Sequence, residues 1–257
     1  MTTPTAIDLN ADLGEHDHPG ATDDALLALI SSANIACGFH AGGPATIRAI
    51  VARAVAHGVA IGAHPSYPDR AGFGRRFLDA TPAEVYDDVL YQIGALAAFC
   101  RAAGVALAHV KPHGALYNHA AVDLPTAEAI VAAVRACDRS LAILAPSGSA
   151  LLRASRNAGL PALAEAFADR AYNSDGTLRS RRLPGAVFDS PEDAARQALS
   201  IARDGRVHIH DGTWLPLPAE TICLHGDAPG ALDRARAVRQ ALEQAGIAIT
   251  APPPAPR

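Results

Sequence analysis

The sequence is poor in lysine: Lys111 is the single lysine among 257 residues, against 21 arginines. A Walker A nucleotide-binding loop needs Gly-Lys-Ser or Gly-Lys-Thr, but Lys111 follows a valine and precedes a proline, so that loop is excluded. No GxGxxG pattern follows a predicted strand either, which removes the dinucleotide-binding signature. ATP chemistry would therefore have to come from a partner chain or from an unfamiliar site.

Other signatures are also missing. No segment approaches the roughly 20 apolar residues of a membrane helix, and the N-terminus has neither the basic start nor the apolar run of a signal peptide. We therefore expect a cytoplasmic protein with no membrane partner. The net charge of −4 gives no general attraction to nucleic acid. The four cysteines form no CxxC pair, and their apolar surroundings predict reduced core residues.

Short apolar runs alternate with alanine-rich helical runs, a pattern typical of βα units around a parallel sheet. The predicted strands are Ile7–Asp12, Asn34–Phe39, Val59–Ala63, Val105–Val110, Leu141–Ala145, Ala162–Phe167 and Thr221–His225. The predicted helices are Asp23–Ser32 capped by Thr22, Pro44–His57, Pro82–Ala103 capped by Thr81, Pro125–Ala136, Ser149–Asn157, Pro191–Arg203 and Pro229–Gln244. We expect one α/β domain over residues 1–250 and a disordered proline-rich tail over residues 251–257.

Two connecting segments stand out by their composition. The stretch from Ala168 to Ser190 is polar and too long for a simple connector, which predicts a functional loop or a surface for a partner. Arg206–Pro218 is predicted to form a hairpin around Asp211 and Gly212, because an Asp-Gly pair favours a tight turn.

Polar side chains follow most of the predicted strands, and the carboxyl ends of parallel strands share one edge. Within the first strand, Asp8, Asn10 and Asp12 alternate and so share one face. A single buried histidine is usually structural, but repetition at strand ends predicts a catalytic mouth. The catalytic candidates are Asp12, His40, His64, Lys111, His113 and Glu165. The substrate-binding candidates are Asn10, Arg70, Arg75, Asp169, Arg170, His225 and Asp227.

A divalent metal is one interpretation of these residues. Asp12, His40 and His64 offer one carboxylate and two imidazoles, enough for an ion with open positions. The competing interpretation keeps the same residues as metal-free groups for proton transfer, for which histidine is suited near neutral pH.

The role of Lys111 is open between an anchor for a substrate carboxylate or phosphate, a Schiff-base amine and a general acid. We favour the anchor, with an ion pair to Glu165 or Asp12 across the barrel as the structural alternative. Arginines in loops are usually exposed to solvent. Those at positions 179, 181 and 182, however, are expected above the same mouth, where they could contact a substrate or a partner.

Seven ordered motifs closely resemble the LamB/YcsF family. They are DLNADLGE at Asp8–Glu15, SANIACGFHAG at Ser32–Gly42, GAHPSYPDR with GFGRR at Gly62–Arg76, HVKPHGALYN at His109–Asn118, FADRAY at Phe167–Tyr172, SRRLPGAV at Ser180–Val187 and TICLHGD at Thr221–Asp227. The resemblance implies a distorted seven-stranded β/α barrel of the glycoside hydrolase/deacetylase type. It also implies ATP-driven cleavage of 5-oxoproline to L-glutamate together with B and C subunits.

The chemistry of the substrate agrees with that implication. A lactam is a resonance-stabilised amide, so opening its ring needs an external driving force. A chain without a nucleotide-binding loop must therefore receive an activated substrate or work beside subunits that bind ATP. We hypothesise that partners phosphorylate the lactam oxygen, that Lys111 and arginines hold carboxylate or phosphate, and that Asp12 with a histidine activates water. Two rival functions stay open. One is a stand-alone metal-dependent amide or sugar deacetylase, and the other is a non-catalytic scaffold for the ATP-binding partners.

Overall fold

The computed structural model describes residues 6–15, 20–209, 211–224 and 230–252. The strands in chain order are β1 (Ala6–Leu13), β2 (Ser32–Ala36), β3 (Ala60–His64), β4 (His109–Val110), β5 (Ala142–Pro146), β6 (Ala162–Phe167), β7 (Arg206–His208), β8 (Trp214–Pro216), β9 (Thr221–Leu224) and β10 (Ala248–Ile249). The helices are α1 (Ala21–Leu27), α2 (Pro44–His57), α3 (Pro82–Ala102), α4 (Gly114–Val122), α5 (Leu124–Cys137), α6 (Ala150–Asn157), α7 (Pro191–Asp204) and α8 (Ala231–Gln244).

Seven parallel strands close into a barrel. Their order is β1-β2-β3-β4-β5-β6-β9, and β9 pairs back with β1 through Asp8–Ala11. The short strand β10 adds to the start of β1, outside the closed ring. The predicted seven-stranded β/α barrel is confirmed. Since every barrel strand is parallel, their carboxyl ends meet at one mouth, where catalytic groups collect in such folds.

The apolar core lies between the barrel and the surrounding helices. Outward-facing strand residues and inward-facing helix residues are fully buried there, including Leu9, Ile35, Ile143 and Ile222 from strands and Ile50, Val89, Ile93, Ile130 and Val238 from helices. Each buried aliphatic side chain of this size stabilises the fold by about 1.5–3 kcal/mol. This layer holds the strands in register, so the polar groups inside the barrel need not provide the main driving force for folding.

Several element bounds differ from those that the sequence predicts. The helix predicted at Asp23–Ser32 ends at Leu27, and Gly20 rather than Thr22 is its N-cap. Ser32 instead opens β2, and its hydroxyl donates to Asp8 Oδ1 on the neighbouring strand at 2.7 Å. The capping prediction for Thr81 is confirmed, since its Oγ1 accepts a hydrogen bond from the Glu84 backbone N–H at the start of α3.

Other corrections concern short elements. The fourth strand comprises only His109–Val110, not Val105–Val110, and β2 stops at Ala36 rather than Phe39. The helix Gly114–Val122 and the strand Ala248–Ile249 were not predicted. The hairpin prediction is confirmed by the antiparallel pairing of β7 with β8. The predicted tail lies largely outside the described residues.

The cysteines are unpaired thiols, and three of them are buried as predicted. Cys137 is exposed at the end of α5, so the core assignment is wrong for that residue. Within the described residues, no helix combines the length and the apolar character needed to cross a bilayer.

Candidate active site

The barrel interior is polar because alternate residues of β1 point inward. Asp8, Asn10 and Asp12 lie on that face, whereas Leu9 and Ala11 belong to the apolar layer outside. Asp8 sits at the bottom of the barrel, and Asp12 lies nearest the mouth. The two-residue period of the strand thus places three polar side chains in one column, as the sequence predicts.

Lys111 follows β4 and directs its ammonium group into the barrel. Its Nζ lies 3.1 Å from Asp12 Oδ1 and 3.0 Å from Glu165 Oε1. Nζ also donates to Asn10 Oδ1 at 3.1 Å and to Cys223 Sγ at 3.0 Å. Burial opposes the charge, but the nearby acids outweigh it and hold the pKa of Lys111 well above its ordinary value. The ion pair considered from sequence is therefore present, and substrate anchoring by Lys111 stays a prediction.

Glu165 is enclosed by protein groups on both carboxylate oxygens. Oε1 accepts from Asn10 Nδ2 at 2.9 Å as well as facing Lys111, and Oε2 accepts from the Tyr117 hydroxyl at 2.5 Å. Burial is the main reason why the pKa of Tyr117 lies well above its usual range, and the neighbouring Glu165 charge adds to it. These contacts favour Glu165 as a residue that fixes Lys111, and its catalytic role stays a prediction.

His109 orients a neighbouring amide inside the barrel. Its Nε2 lies 2.8 Å from Asn34 Oδ1, and Asn34 Nδ2 then donates to Asn10 Oδ1 at 2.7 Å and to Asp12 Oδ1 at 2.9 Å. Burial lowers the pKa of His109 to about 3, so the ring is neutral at pH 7. The neighbouring strand position must be glycine, because a Cβ at Gly62 would lie 2.0 Å from His109 Nε2.

A carboxylate and three imidazoles converge at the mouth of the barrel. One ligand atom from each of Glu15, His40, His64 and His113 lies within 4.8 Å of the others, a grouping able to hold a metal ion. Glu15 Oε1 lies 3.2 Å from His40 Nε2, 3.2 Å from His113 Nδ1 and 3.8 Å from His64 Nε2. We call these four residues the mouth cluster. It differs from the predicted metal set, because Glu15 and His113 belong to it and Asp12 does not.

Backbone acceptors determine which ring nitrogen carries the hydrogen in two of the histidines. His64 Nδ1 lies 2.7 Å from the Lys111 carbonyl, and His113 Nε2 lies 2.9 Å from the Phe73 carbonyl. A carbonyl only accepts, so each of these nitrogens must donate. The other two nitrogens, His64 Nε2 and His113 Nδ1, face each other at 3.0 Å. Both present lone pairs when the rings are neutral, so this contact needs a proton or a cation between them.

The charges of the mouth cluster are strongly interdependent. Burial would raise the pKa of Glu15, but the neighbouring imidazoles of His113 and His40 outweigh it and hold that pKa far below the usual range. Burial lowers the pKa of His40 to about 4. Burial also opposes charge on His64, yet the Asp12 carboxylate, with Oδ2 at 3.4 Å, raises the pKa of His64 above its ordinary value.

A cavity of about 530 Å³ opens above the barrel. Its inner wall carries Asp12, Glu15, His64, Lys111 and His113, so the barrel mouth forms its floor. Its rim carries five arginines, at positions 75, 170, 179, 181 and 182. The cavity therefore combines a floor able to exchange protons with a rim that attracts anions.

The predicted functional loop after β6 forms much of this rim. Arg170 is buried, and its guanidinium donates to the backbone carbonyls of Ala186 at 3.2 Å and Arg179 at 2.7 Å. Burial lowers the pKa of Arg170, and the positive charge of Arg181 adds to that effect. Arg170 thus folds the loop back over the mouth and brings positive charge close to the cavity.

Some candidate residues lie away from the cavity. Arg70 donates to the carbonyls of Gly38 and Gly42, and the buried Asp169 accepts at its backbone carbonyl from Phe188. Neither lines the cavity among the described residues, and substrate contact by either stays a prediction. His225 and Asp227 lie outside the described residues.

Sequence reasoning missed Asn34, which donates to Asp12 Oδ1, and three further residues of this site. Glu15 ends the DLNADLGE motif three positions after Asp12, and that spacing past a strand end was the available signal. Tyr117 lies on the unpredicted helix α4 and bonds Glu165. For Cys223 the sequence predicts only that the residue is buried. Its contact with Lys111 could not be predicted, because the strands that position the two residues are far apart in the chain.

Known proteins match the chain over almost its whole length. It is 54% identical to the A subunit of 5-oxoprolinase from Methylococcus capsulatus over 247 residues, which covers 95% of both chains. It is 56% identical to the protein of the same name from Chloroflexus aggregans over 251 residues, which covers 96% of this chain and 99% of the relative.

Solved structures agree with these matches. The lactam utilization protein from Thermus thermophilus superposes with a TM-score of 0.90 at 49% identity and covers 96% of this chain and 99% of its own. A GH113 β-1,4-mannanase superposes with a TM-score of 0.52 at 11% identity, over 95% of this chain and 99% of its own, and shares the fold alone. The family model for LamB/YcsF matches residues 7–256. The chain therefore belongs to the LamB/YcsF family.

Proposed function

We propose that this chain opens the ring of 5-oxoproline as the A subunit of an ATP-driven 5-oxoprolinase that also contains B and C subunits. The observation that carries the proposal is the identity of 54–56%, over nearly the full chain, to proteins named as the A subunit of 5-oxoprolinase. The cavity supports it independently, since its arginine rim suits a small carboxylate substrate and its floor carries acid and base groups.

Activation of the lactam by the partner subunits explains how a chain without a nucleotide cradle uses ATP. The γ-phosphoryl group of ATP is transferred to the lactam oxygen, and ADP leaves. Water then adds to the activated ring carbon, the C–N bond breaks with a proton going to nitrogen, and γ-glutamyl phosphate forms. A second water hydrolyses this acyl phosphate to glutamate and inorganic phosphate.

Asp12 is our candidate for the proton transfers of ring opening. It lines the cavity, and Lys111 together with Asn34 Nδ2 holds its Oδ1, which leaves Oδ2 beside His64. In this scheme Asp12 takes a proton from the attacking water and returns it to the ring nitrogen as the C–N bond breaks. Arg75 and Arg170 hold the anionic groups of the substrate at the rim.

The mouth cluster fits a divalent transition metal ion. Three imidazoles and one carboxylate are ligands that zinc and related ions accept. Because His64 Nδ1 and His113 Nε2 donate to backbone carbonyls, the other ring nitrogen of each histidine directs its lone pair toward Glu15. When bound, such an ion supplies Lewis-acid polarisation of a substrate oxygen and a lower pKa for water. Glu15, His40, His64 and His113 would hold it.

Metal content provides a direct test. We expect elemental analysis of the purified chain to give about one equivalent of a transition metal. The variant Glu15→Gln should lose most of it, and Glu220→Gln, an exposed carboxylate on the outer surface, should keep it. A metal-free wild-type chain with full activity would contradict this assignment and leave the His64–Asp12 pair as the proton-transfer centre.

The activity itself is tested by glutamate release from 5-oxoproline. We expect release only when the chain, its B and C partners and ATP are all present. A stand-alone hydrolase would be favoured if the isolated chain, without ATP, hydrolysed amide substrates or released acetate from acetylated sugars. Unchanged coupled activity after replacement of Asp12 by asparagine would favour a scaffold.

A further inference from the structure

Phe73 has an unusual backbone conformation next to the mouth cluster. Among the described residues other than glycine, it alone has a positive φ, at 56° with ψ at 34°. Side chains crowd the backbone in this left-handed region, and a residue without a short polar side chain is kept there only when its surroundings require it. The conformation of Phe73 therefore needs a structural reason.

The carbonyl of Phe73 provides that reason. It accepts the hydrogen of His113 Nε2 at 2.9 Å, and the Phe73 N–H donates to the Arg70 carbonyl at 3.2 Å. The next residue, Gly74, is also left-handed, and a Cβ there would lie 2.9 Å from both His113 Cδ2 and His40 Cβ. The two left-handed residues bring the chain directly over the imidazoles and aim one carbonyl at one ring nitrogen.

The ring of Phe73 packs on the same groups. It stands edge-to-face to His40 at 5.6 Å and to His113 at 5.4 Å between ring centroids. The Arg75 guanidinium lies 4.9 Å from the ring centroid and also lines the cavity. Both the backbone and the side chain of Phe73 therefore contact the site, and they can be separated by mutation.

We infer that Phe73 is a positioning residue whose left-handed backbone fixes the tautomer of His113. With Nε2–H bonded to the Phe73 carbonyl, the Nδ1 lone pair points at Glu15 and at His64. If the peptide turned away, Nδ1 could take the hydrogen and the mouth cluster would lose one donor. The tautomer itself does not depend on the reaction, whereas its effect on turnover rests on the function proposed above.

A series of substitutions at position 73 separates the backbone from the ring. Glycine, asparagine, alanine and valine all lack the ring, and their tolerance of a positive φ falls in that order. We expect nitrogen-15 spectra of the histidine-labelled full chain to show the Nε2–H tautomer of His113 in wild type, F73G and F73N. F73V is expected to show a mixture or the Nδ1–H form. The His113 signals are assigned by their loss in H113Q.

Turnover of the reconstituted complex should follow the same order. We expect kcat in F73V to fall at least about tenfold below that in F73G, since loss of an outer hydrogen-bond partner of a ligand typically costs 10- to 100-fold. KM for 5-oxoproline should stay similar in the two variants. If F73V does not fold, the comparison of F73A with F73G takes its place.

Two outcomes would overturn the inference. One is that F73G and the folded variant least tolerant of a positive φ show the same His113 tautomer. The other is a shifted tautomer with equal kcat in both. Failure of the proposed function looks different, because the wild-type complex would then release no glutamate while the spectra still distinguished the variants.

Discussion

His64→Ala is expected to lower ATP-coupled glutamate release by about 10²- to 10⁴-fold, the range for loss of a group that handles protons in the transition state. His64 Nε2 lies 3.4 Å from Asp12 and 3.0 Å from His113 Nδ1, so its removal disturbs both the proposed proton carrier and the mouth cluster. The measurement is the steady-state rate of 5-oxoproline-dependent glutamate formation by the reconstituted complex.

A histidine far from the cavity provides the matched control. His57 is exposed at the end of α2, so His57→Ala should leave the rate within about twofold of wild type. Metal content and thermal unfolding of both variants separate a lost ligand from a lost fold. Near-normal turnover in His64→Ala would show that this mouth does not carry out the reaction.

Lys111→Met is expected to destabilise the protein by about 3–5 kcal/mol, because it leaves buried carboxylates without their cation. Asp12 and Glu165 both contact the ammonium group, and Lys111 is 2% exposed. The measurement is the free energy of unfolding from urea denaturation at neutral pH. Adding Glu165→Gln to this variant should recover part of the loss, since one unpaired charge is then removed.

The pH dependence of this stabilisation has a definite sign. The pKa of Lys111 in the folded chain lies above its ordinary value of 10.5, so its contribution is fully present below pH 10.5 and is lost only as pH rises through the higher folded value. The difference in unfolding free energy between wild type and Lys111→Met should therefore be present at neutral pH and should not fall through loss of the lysine charge until the pH exceeds about 10.

An exposed ion pair is the control for burial. Arg156 and Glu220 are 53% and 51% exposed at their side chains, so Arg156→Met should change the unfolding free energy by less than about 1 kcal/mol. If Lys111→Met proves as stable as Arg156→Met, the interior carboxylates cannot be held as charged partners of Lys111.

Local sequence patterns predicted the alternation of strands and helices well because they depend on local physics. The alternation in β1 placed Asp8, Asn10 and Asp12 on one face, and the structure has them inside the barrel. Capping chemistry placed the start of α3 at Thr81. The bounds of β2 and β4 were less predictable, because a short apolar run does not reveal which of its residues find partners in the sheet.

The sequence by itself determined the alternation of strands and helices, the exclusion of a nucleotide cradle, and the polar residues at the strand ends, since each follows from residue type and spacing. The tertiary structure alone decided that Glu15 rather than Asp12 joins the three histidines and that Lys111 is held by Asp12 and Glu165. The reason is geometric. Distances across a closed barrel depend on strand register and ring tautomer, and neither is encoded in the spacing of residues along the chain.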